Sequence, residues 1–555
     1  MRTTQVRRSN ISLIVKMLKL VAPLKVMMIR AIFSGILGNL CAIFLVTVAA
    51  VALTNWIESG YFSTRYLYAL GVFGIMRGVL RYVEQYNNHD LAFRILALIR
   101  DKVYSRLRIL APAKLEERSS GDLISLITTD VELLEVFYAH TISPVAIAMG
   151  ASTVMVIFVG SYHFIFGLIL LVSFLFVGVI IPIINEKNGR KTGGEYRSLM
   201  GSLSAFILDS IRGRRQILQF QSSSYMLDKL RGIGSRLARE KSIARNHESI
   251  TGMSSDVVIY GQLLLSIFVG SKMISSGVSA GSVIIPIVTM MSSFGPVLAL
   301  SALSNNLMQT LASADRVMGL LEESPVVEEK YDGEVIDEFE ELSFNNVDFS
   351  YKDVPVIKNS NFAVKKGDKI GISGESGCGK STLLKLMMRF WDPVKGDINM
   401  NDKNLKDIST VNLRGQYSYM TQSTHLFMGT IGENLRLANP MASNEEVIEA
   451  AKKASIHDQI MGFSNGYDTP VAQWGESLSA GERQRIALAR VLLHKTPMML
   501  LDEPTANIDS LNEGMILSAL EEESKGRGMI LVSHKPSTLS IVDRVWDAKK
   551  GELQL

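Results

Sequence analysis

In its N-terminal half the chain alternates uncharged apolar runs with long polar stretches; in its C-terminal part, short apolar runs alternate with helical patterns. A bilayer-spanning helix needs roughly 20 apolar residues. Ala31–Leu53 meets that length without a charge. Ser143–Gly160 and Phe164–Ile184 form a close pair joined by Ser161-Tyr162-His163, and Val257–Ile274 and Ser282–Leu303 form another around Ser275-Ser276-Gly277. Phe62–Val83 is also apolar but carries Arg77 and Arg81. The pattern predicts six spans, this second one being the least apolar. The connections Gln85–His140 and Asn185–Ser255 keep helical periodicity well beyond bilayer thickness, so they read as helices projecting from the membrane.

The membrane pattern ends near Leu321. Glu322–Glu341 holds ten acidic residues and one lysine. Phe344–Tyr351 then alternates as a strand, and strands alternate with helices from there to Leu555. The expected fold is an α-helical six-span transmembrane domain (1–321), an acidic linker (322–341) and a P-loop α/β nucleotide-binding domain (342–555).

Composition agrees with this division. The chain is 47% hydrophobic and only 20% charged, with a mean hydropathy of +0.20. A net charge of +4 gives no reason to expect a nucleic-acid partner. Lysines and arginines crowd the stretch before the first span and both long connections, but are nearly missing from the short ones. That asymmetry places the termini and long connections in the cytoplasm. The first apolar run lacks a small-residue cleavage site and reads as a retained helix. Cys41 and Cys378 fall in different domains, so neither a disulfide nor a metal-ligand cluster is expected. Pro286, Gly295 and Pro296 flank Met290-Met291 and predict a kink in the last span.

The chemistry sits in the second domain. Gly374-Glu375-Ser376-Gly377-Cys378-Gly379-Lys380-Ser381-Thr382 fits the phosphate-binding loop and lies between a strand and a helix, as that motif requires. Its backbone N–H groups and helix N-terminus suit phosphate, Lys380 can reach the β- and γ-phosphates, and Ser381 can ligate Mg²⁺. Met498–Leu501 is an apolar strand ending in Asp502 and Glu503, which places one acid at Mg²⁺ and the other at the attacking water. ATP and Mg²⁺ are therefore the expected substrate and cofactor.

Further stretches resemble the ATP-binding cassette (ABC) transporters. Leu478-Ser479-Ala480-Gly481-Glu482-Arg483-Gln484 is similar to their signature sequence, Gln422 to the Q-loop glutamine, Ala506-Asn507-Ile508-Asp509 to the D-loop and His534 to the switch histidine. Tyr351 stands where the family stacks a ring on adenine. Six spans followed by one cassette is the layout of an exporter half-transporter. The resemblance implies a head-to-tail pair of cassettes, each ATP lying between one chain's phosphate loop and the other chain's signature helix. Glu503 and His534 are then the catalytic residues, and Asp502, Ser381 and Gln422 the Mg²⁺ ligands. Ser479, Ala480, Gly481 and Glu482 would face the partner's nucleotide. Ser479 through Glu482 is equally a capping box.

The signature departs from the family at Ala480, usually glycine, and at Glu482, often glutamine. Gln473 replaces a glutamate usual in exporters. These departures point to pairing with a different chain and to unequal ATP sites. Glu117–Asp122 and Leu208–Gly213 are the candidates for the helix tips that engage cassettes. Arg77, Arg81 and His89 form a polar stripe on the second span, a candidate for the substrate path. Arg77–Leu96, Leu110–Leu115 and Ser120–Leu123 resemble the CydC-type half of bacterial CydDC exporters, which implies a heterodimer and a haem- or thiol-related small-molecule cargo. The expectation is an ATP-driven exporter in the bacterial cytoplasmic membrane, in contact with lipid, with its cassette in the cytoplasm. A lipid or hydrophobic-drug flippase is the alternative within the class, and a nucleotide-gated channel or regulatory membrane subunit the alternative outside it.

Overall fold

The computed structural model describes residues 10–116, 118–472, 475, 477–506, 508–549 and 552–554. The chain divides into two compact units, Met1–Arg108 with Arg118–Glu323, and Ile109–Glu117 with Ser324–Leu555.

The first unit is helical among its described residues. Two helices, α1 (Asn10–Leu20) and α2 (Lys25–Ser59), precede a left-handed Gly60, whose N–H closes on the Trp56 carbonyl. The next helix, α3 (Arg65–Leu110), has 46 residues, about 69 Å at 1.5 Å per residue. Short helices α4 (Ala113–Glu116), α5 (Ser120–Ser125) and α6 (Val131–Phe137) lead to α7 (Ser143–Tyr162) and α8 (Phe164–Leu175). A π-turn at Phe176–Ile180 continues α8 into α9 (Ile181–Arg212), followed by α10 (Arg214–Gln219), the 53-residue α11 (Ser223–Ser275), α12 (Ala280–Ser292) and α13 (Gly295–Glu322).

Five segments among the described residues are long and apolar enough to cross a membrane: Ala22–Ser59, Ser143–Tyr162, Phe164–Ile184, Ser249–Ser275 and Ala280–Leu300. The sixth expected span lies inside α3. That helix has the length, but Arg77, Arg81 and Glu84 make it too polar to qualify by composition. The turn between α7 and α8 is a single extended residue, His163, whose Nδ1 accepts the Ile165 N–H at 3.3 Å. Here the backbones nearly touch: a Cβ on Gly167 would lie 2.8 Å from the Gly160 Cα, so only glycine permits this hairpin. The expected kink is a break between α12 and α13 at Ser293-Phe294, just before Gly295-Pro296. Pro286 is accommodated inside α12.

The second unit contains two main sheets. One is four-stranded, β2-β1-β4-β5, built from β1 (Glu341–Tyr351), β2 (Val354–Lys365), β4 (Lys395–Met400) and β5 (Lys403–Asn404). The other is six-stranded, β12-β11-β3-β10-β9-β6, built from β3 (Lys369–Gly374), β6 (Tyr417–Met420), β9 (Met498–Asp502), β10 (Gly528–Val532), β11 (Arg544–Lys549) and β12 (Glu552–Gln554). All its pairings are parallel except β11 with β12. Strands β9 and β10 are buried along their whole length, as expected of inner parallel strands covered on both faces. The helices are α14 (Lys380–Met387), α15 (Thr410–Gly415), α16 (Ile431–Arg436), α17 (Asn444–Lys453), α18 (His457–Gly462), α19 (Ala480–Leu493), α20 (Ser510–Glu523) and α21 (Pro536–Leu539). A small ladder joins β7 (Gly429–Thr430) to β8 (Pro470–Val471).

Two apolar cores support this unit. One lies under β1–β4 and α14; the other joins α16–α19 to β9 and β10. Ile336 and Phe339, from the acidic stretch, are buried in the first. The same core takes Ala113 of α4, and Glu116 pairs with Lys385 at 2.7 Å. Ile109–Glu117 is thus part of the second unit, whereas 118–122 belong to the first. Glu117 is outside the described residues, and Ser119 instead caps α5 by accepting the Asp122 N–H. At the other expected tip, 208–212 are the last residues of α9, and the turn falls at Gly213.

Candidate functional site

The carboxyl ends of four neighbouring strands, β3, β10, β9 and β6, carry every expected ATP-site motif except the signature, the D-loop and Tyr351. Open parallel sheets bind ligands at this edge, because strand ends and helix starts converge there. The phosphate loop leaves β3 and enters α14. Gly374, Gly377 and Gly379 take φ values of +144°, +84° and +103°. A Cβ on Gly374 would lie 2.5 Å from the Ala548 carbonyl oxygen, so this position requires glycine for both conformation and space. Lys380 is buried and donates to the carbonyls of Gly374 and Glu375, each at 2.8 Å, with Cys378 Sγ 3.8 Å away. Ser376 lies between these groups in the same loop. Thr382, one turn into α14, is buried within 3.3 Å of the Tyr351 hydroxyl. The Tyr351 ring stands edge-on to Phe349 and Trp391, so it is packed into the cassette beside the loop.

Asp502 ends β9 and is 3% exposed. Burial pushes its carboxyl above the usual range, and adjacent Glu503 adds to this; a hydrogen bond from Ser381 and the charges of Lys380 and Lys385 oppose it. A buried carboxylate next to a hydroxyl and an ammonium is a hard oxygen site that a divalent cation would complete.

Glu503 has a left-handed backbone, φ +52°. Its Oε1 is 3.1 Å from His534 Nδ1, and its Oε2 accepts from Gln422 Nε2 at 3.4 Å. The main chain is fixed too: Glu503 N donates to Val532 O at 2.9 Å, and Glu503 O accepts from Gln484 Nε2 at 2.7 Å. Gln484 is a contributor that sequence reading missed, although it lies within the quoted signature stretch. From α19 it ties the signature helix to the end of β9. Arg490, also on α19, was missed as well. It donates to the carbonyls of Asn434 and His425 at 2.7 and 2.9 Å, holding the segment after Gln422, and burial lowers its pKa to about 10.

The signature begins α19 as a complete capping box. Ser479 Oγ accepts the Glu482 N–H at 3.3 Å, and Glu482 Oε2 accepts the Ser479 N–H at 2.7 Å. Ala480 and Gly481 form the first turn. Asp509 caps α20 by accepting from Asn512 N at 3.1 Å. Gln473 and Asn507 lie outside the described residues. Arg77, Arg81 and His89 are all on α3 in the first unit and exposed. Arg81 Nη1 donates to both carboxylate oxygens of Glu84, each at 2.9 Å, and Glu84 is buried.

Comparisons with known proteins match these features. The family described as ABC transporter matches residues 357–506, and the ABC transporter transmembrane region matches 26–297. A probable ABC transporter ATP-binding/permease protein of Haemophilus influenzae is 42% identical over 99% of this chain and 100% of its own length. The glutathione/L-cysteine transport system ATP-binding/permease protein CydC of Escherichia coli is 29% identical over 93% of each. The ATP-dependent lipid A-core flippase of Syntrophus aciditrophicus is 28% identical over 86% of this chain and 80% of that one. A bacterial Atm1-family ABC exporter with ATP bound shares the fold, with a TM-score of 0.78 at 22% identity, covering 96% of this chain and 95% of that one. With helical spans preceding one cassette, this chain belongs to the ABC transporters as a bacterial cytoplasmic-membrane half-transporter that couples ATP hydrolysis to export.

Proposed function

We propose that the chain exports a small thiol- or haem-related molecule as one half of a dimer of unlike chains, with Glu503 and His534 as its hydrolytic pair. The observation that carries the catalytic assignment is Glu503 held between His534 and Gln422 at the sheet edge that also carries the phosphate loop. In this reading Lys380 turns from the loop carbonyls to the β- and γ-phosphates of ATP. Glu503 orients the attacking water and takes its proton, and His534 holds the γ-phosphate. Ser381, Asp502 and Gln422 would hold Mg²⁺, which would supply neutralisation of developing phosphate charge. Tyr351 and Gly374 to Thr382 bind the nucleotide from this chain, while Ser479 to Glu482 and the Asp509 loop face the partner's. Glu503→Gln should lower turnover by at least about a hundredfold and leave ATP affinity intact. Wild-type ATPase rates in that variant would remove Glu503 from the role.

Pairing with an unlike chain is supported by the signature. Glu482 occupies the Ser479 N–H and brings a negative charge to the helix start that would otherwise attract a phosphate. The site completed by this signature is then the weaker one. Equal turnover at both sites of a reconstituted homodimer would overturn this.

Cargo is supported by the CydC resemblance. The lipid A-core flippase relatives, at similar identity, favour a lipid as the second reading. Haemophilus influenzae has both the 42% relative and a CydC 27% identical to this chain, so the family name alone does not transfer cargo. ATP-driven uptake into inside-out vesicles, with glutathione, cysteine, haem and labelled lipid in parallel, tests it. Uptake of a thiol or haem is expected; uptake of lipid alone would select the second reading.

A further inference from the structure

Glu503 and His534 follow different strands, so their separation depends on what joins the segments after β9 and β10. A polar cluster next to them does this. Thr505 lies two residues after Glu503; Lys535, Ser537 and Thr538 follow His534; Glu513 lies in the first turn of α20. Glu513 Oε1 accepts from Ser537 Oγ at 2.9 Å and lies 3.1 Å from Thr538 Oγ1 and 3.3 Å from Thr505 Oγ1, one of which donates to it. Its Oε2 accepts from Lys535 Nζ at 3.4 Å, and that ammonium also donates to Thr505 O at 2.8 Å. Thr505 and Thr538 are buried and 2.7 Å apart.

We propose that Glu513 is a positioning residue for ATP hydrolysis, clamping the segments that follow Glu503 and His534 to the start of α20. The inference rests on Glu503 and His534 being the hydrolytic pair. A carboxylate this enclosed is costly unless its lone pairs are filled. Burial pushes the Glu513 carboxyl up, but the bonds from Ser537 and Thr538 and the charge of Lys535 outweigh it and leave it below the usual range. Glu513 is therefore an ionised hub that gathers the Ser537 hydroxyl, the Lys535 ammonium and the Thr505–Thr538 hydroxyl pair, one of whose two protons serves the contact within the pair. Asp509 caps the same helix, so Glu513 also joins the start of α20 to the segment that follows His534.

The test is a double-mutant cycle in the full-length transporter, purified with any partner that accompanies it. Glu513→Gln keeps the shape and removes the charge. It should lower kcat about tenfold with the KM for ATP within about twofold, yet change the rate of His534→Ala by less than about twofold. A kcat within about twofold of wild type would overturn the proposal, as would the same tenfold loss on top of His534→Ala, which marks general damage. If Glu513→Gln fails to fold, Ser537→Ala runs the same cycle, with about a threefold loss expected and the same non-additivity required. Full turnover by Glu503→Gln would defeat the hydrolytic assignment itself, whereas an inactive Glu503→Gln beside an unslowed Glu513→Gln defeats only the present inference.

Discussion

At the scale of single residues, the site stores electrostatic cost where it needs affinity. The Asp502 carboxyl is pushed above its ordinary range, because burial and adjacent Glu503 outweigh the help of Ser381, Lys380 and Lys385. A carboxyl whose folded pKa is raised destabilises the fold above that pKa and has no such effect below its ordinary value. Asp502→Asn should therefore melt higher than wild type at neutral pH without nucleotide, and the gap should close as pH falls toward the ordinary carboxylate range. The same variant should lose hydrolysis, and a thermal melt series across pH with an ATPase assay checks both. Glu482 shows the opposite economy, spending its charge on its own helix end. Glu482→Gln keeps a weaker acceptor for the Ser479 N–H. We expect it to cost about 0.5–1 kcal/mol of local capping while strengthening nucleotide capture by the partner's loop. Tighter ATP binding in a partner-containing complex checks this.

At the scale of elements, glycines decide where backbones can meet. In the α7–α8 hairpin, Gly167→Ala would drive a methyl to 2.8 Å from the Gly160 Cα, forcing the helices apart. A cost of about 1–3 kcal/mol is expected, seen as a lower melting midpoint in detergent. Gly71→Ala on α3 meets nothing within 4 Å and should be neutral or slightly stabilising by the same measurement. The short α4 is a second such element. Ala113 is 5% exposed in a cassette core, so Ala113→Asp would bury an unpaired charge. Loss of cargo-stimulated ATPase is expected, with basal ATPase surviving if the cassette stays folded. Equal stimulation in variant and wild type would remove α4 from coupling.

At the scale of the whole molecule, apolar helices and an ATP-hydrolysing cassette are joined in one chain, and sequence legibility differed between the two. The five apolar spans were readable because a bilayer imposes length and composition on any helix that crosses it. The phosphate loop, the acids after β9 and the capping box at Ser479 were readable because each is a local arrangement of neighbours in sequence. The second span was only half readable: α3 is continuous, but Arg77, Arg81 and Glu84 dilute its apolar signal. Gln484 on Glu503, Arg490 on the segment after Gln422, Ala113 in a cassette core and the hub around Glu513 could not be read from spacing. Their partners are 19, 65 or hundreds of residues away, or belong to two segments at once. The sequence by itself thus determined which segments face lipid and which chemistry ends each strand, since hydrophobic period and motif are local constraints. Only the tertiary structure decided which groups hold Glu503, because parallel strand order sets those neighbours and strand order is a non-local property of the chain.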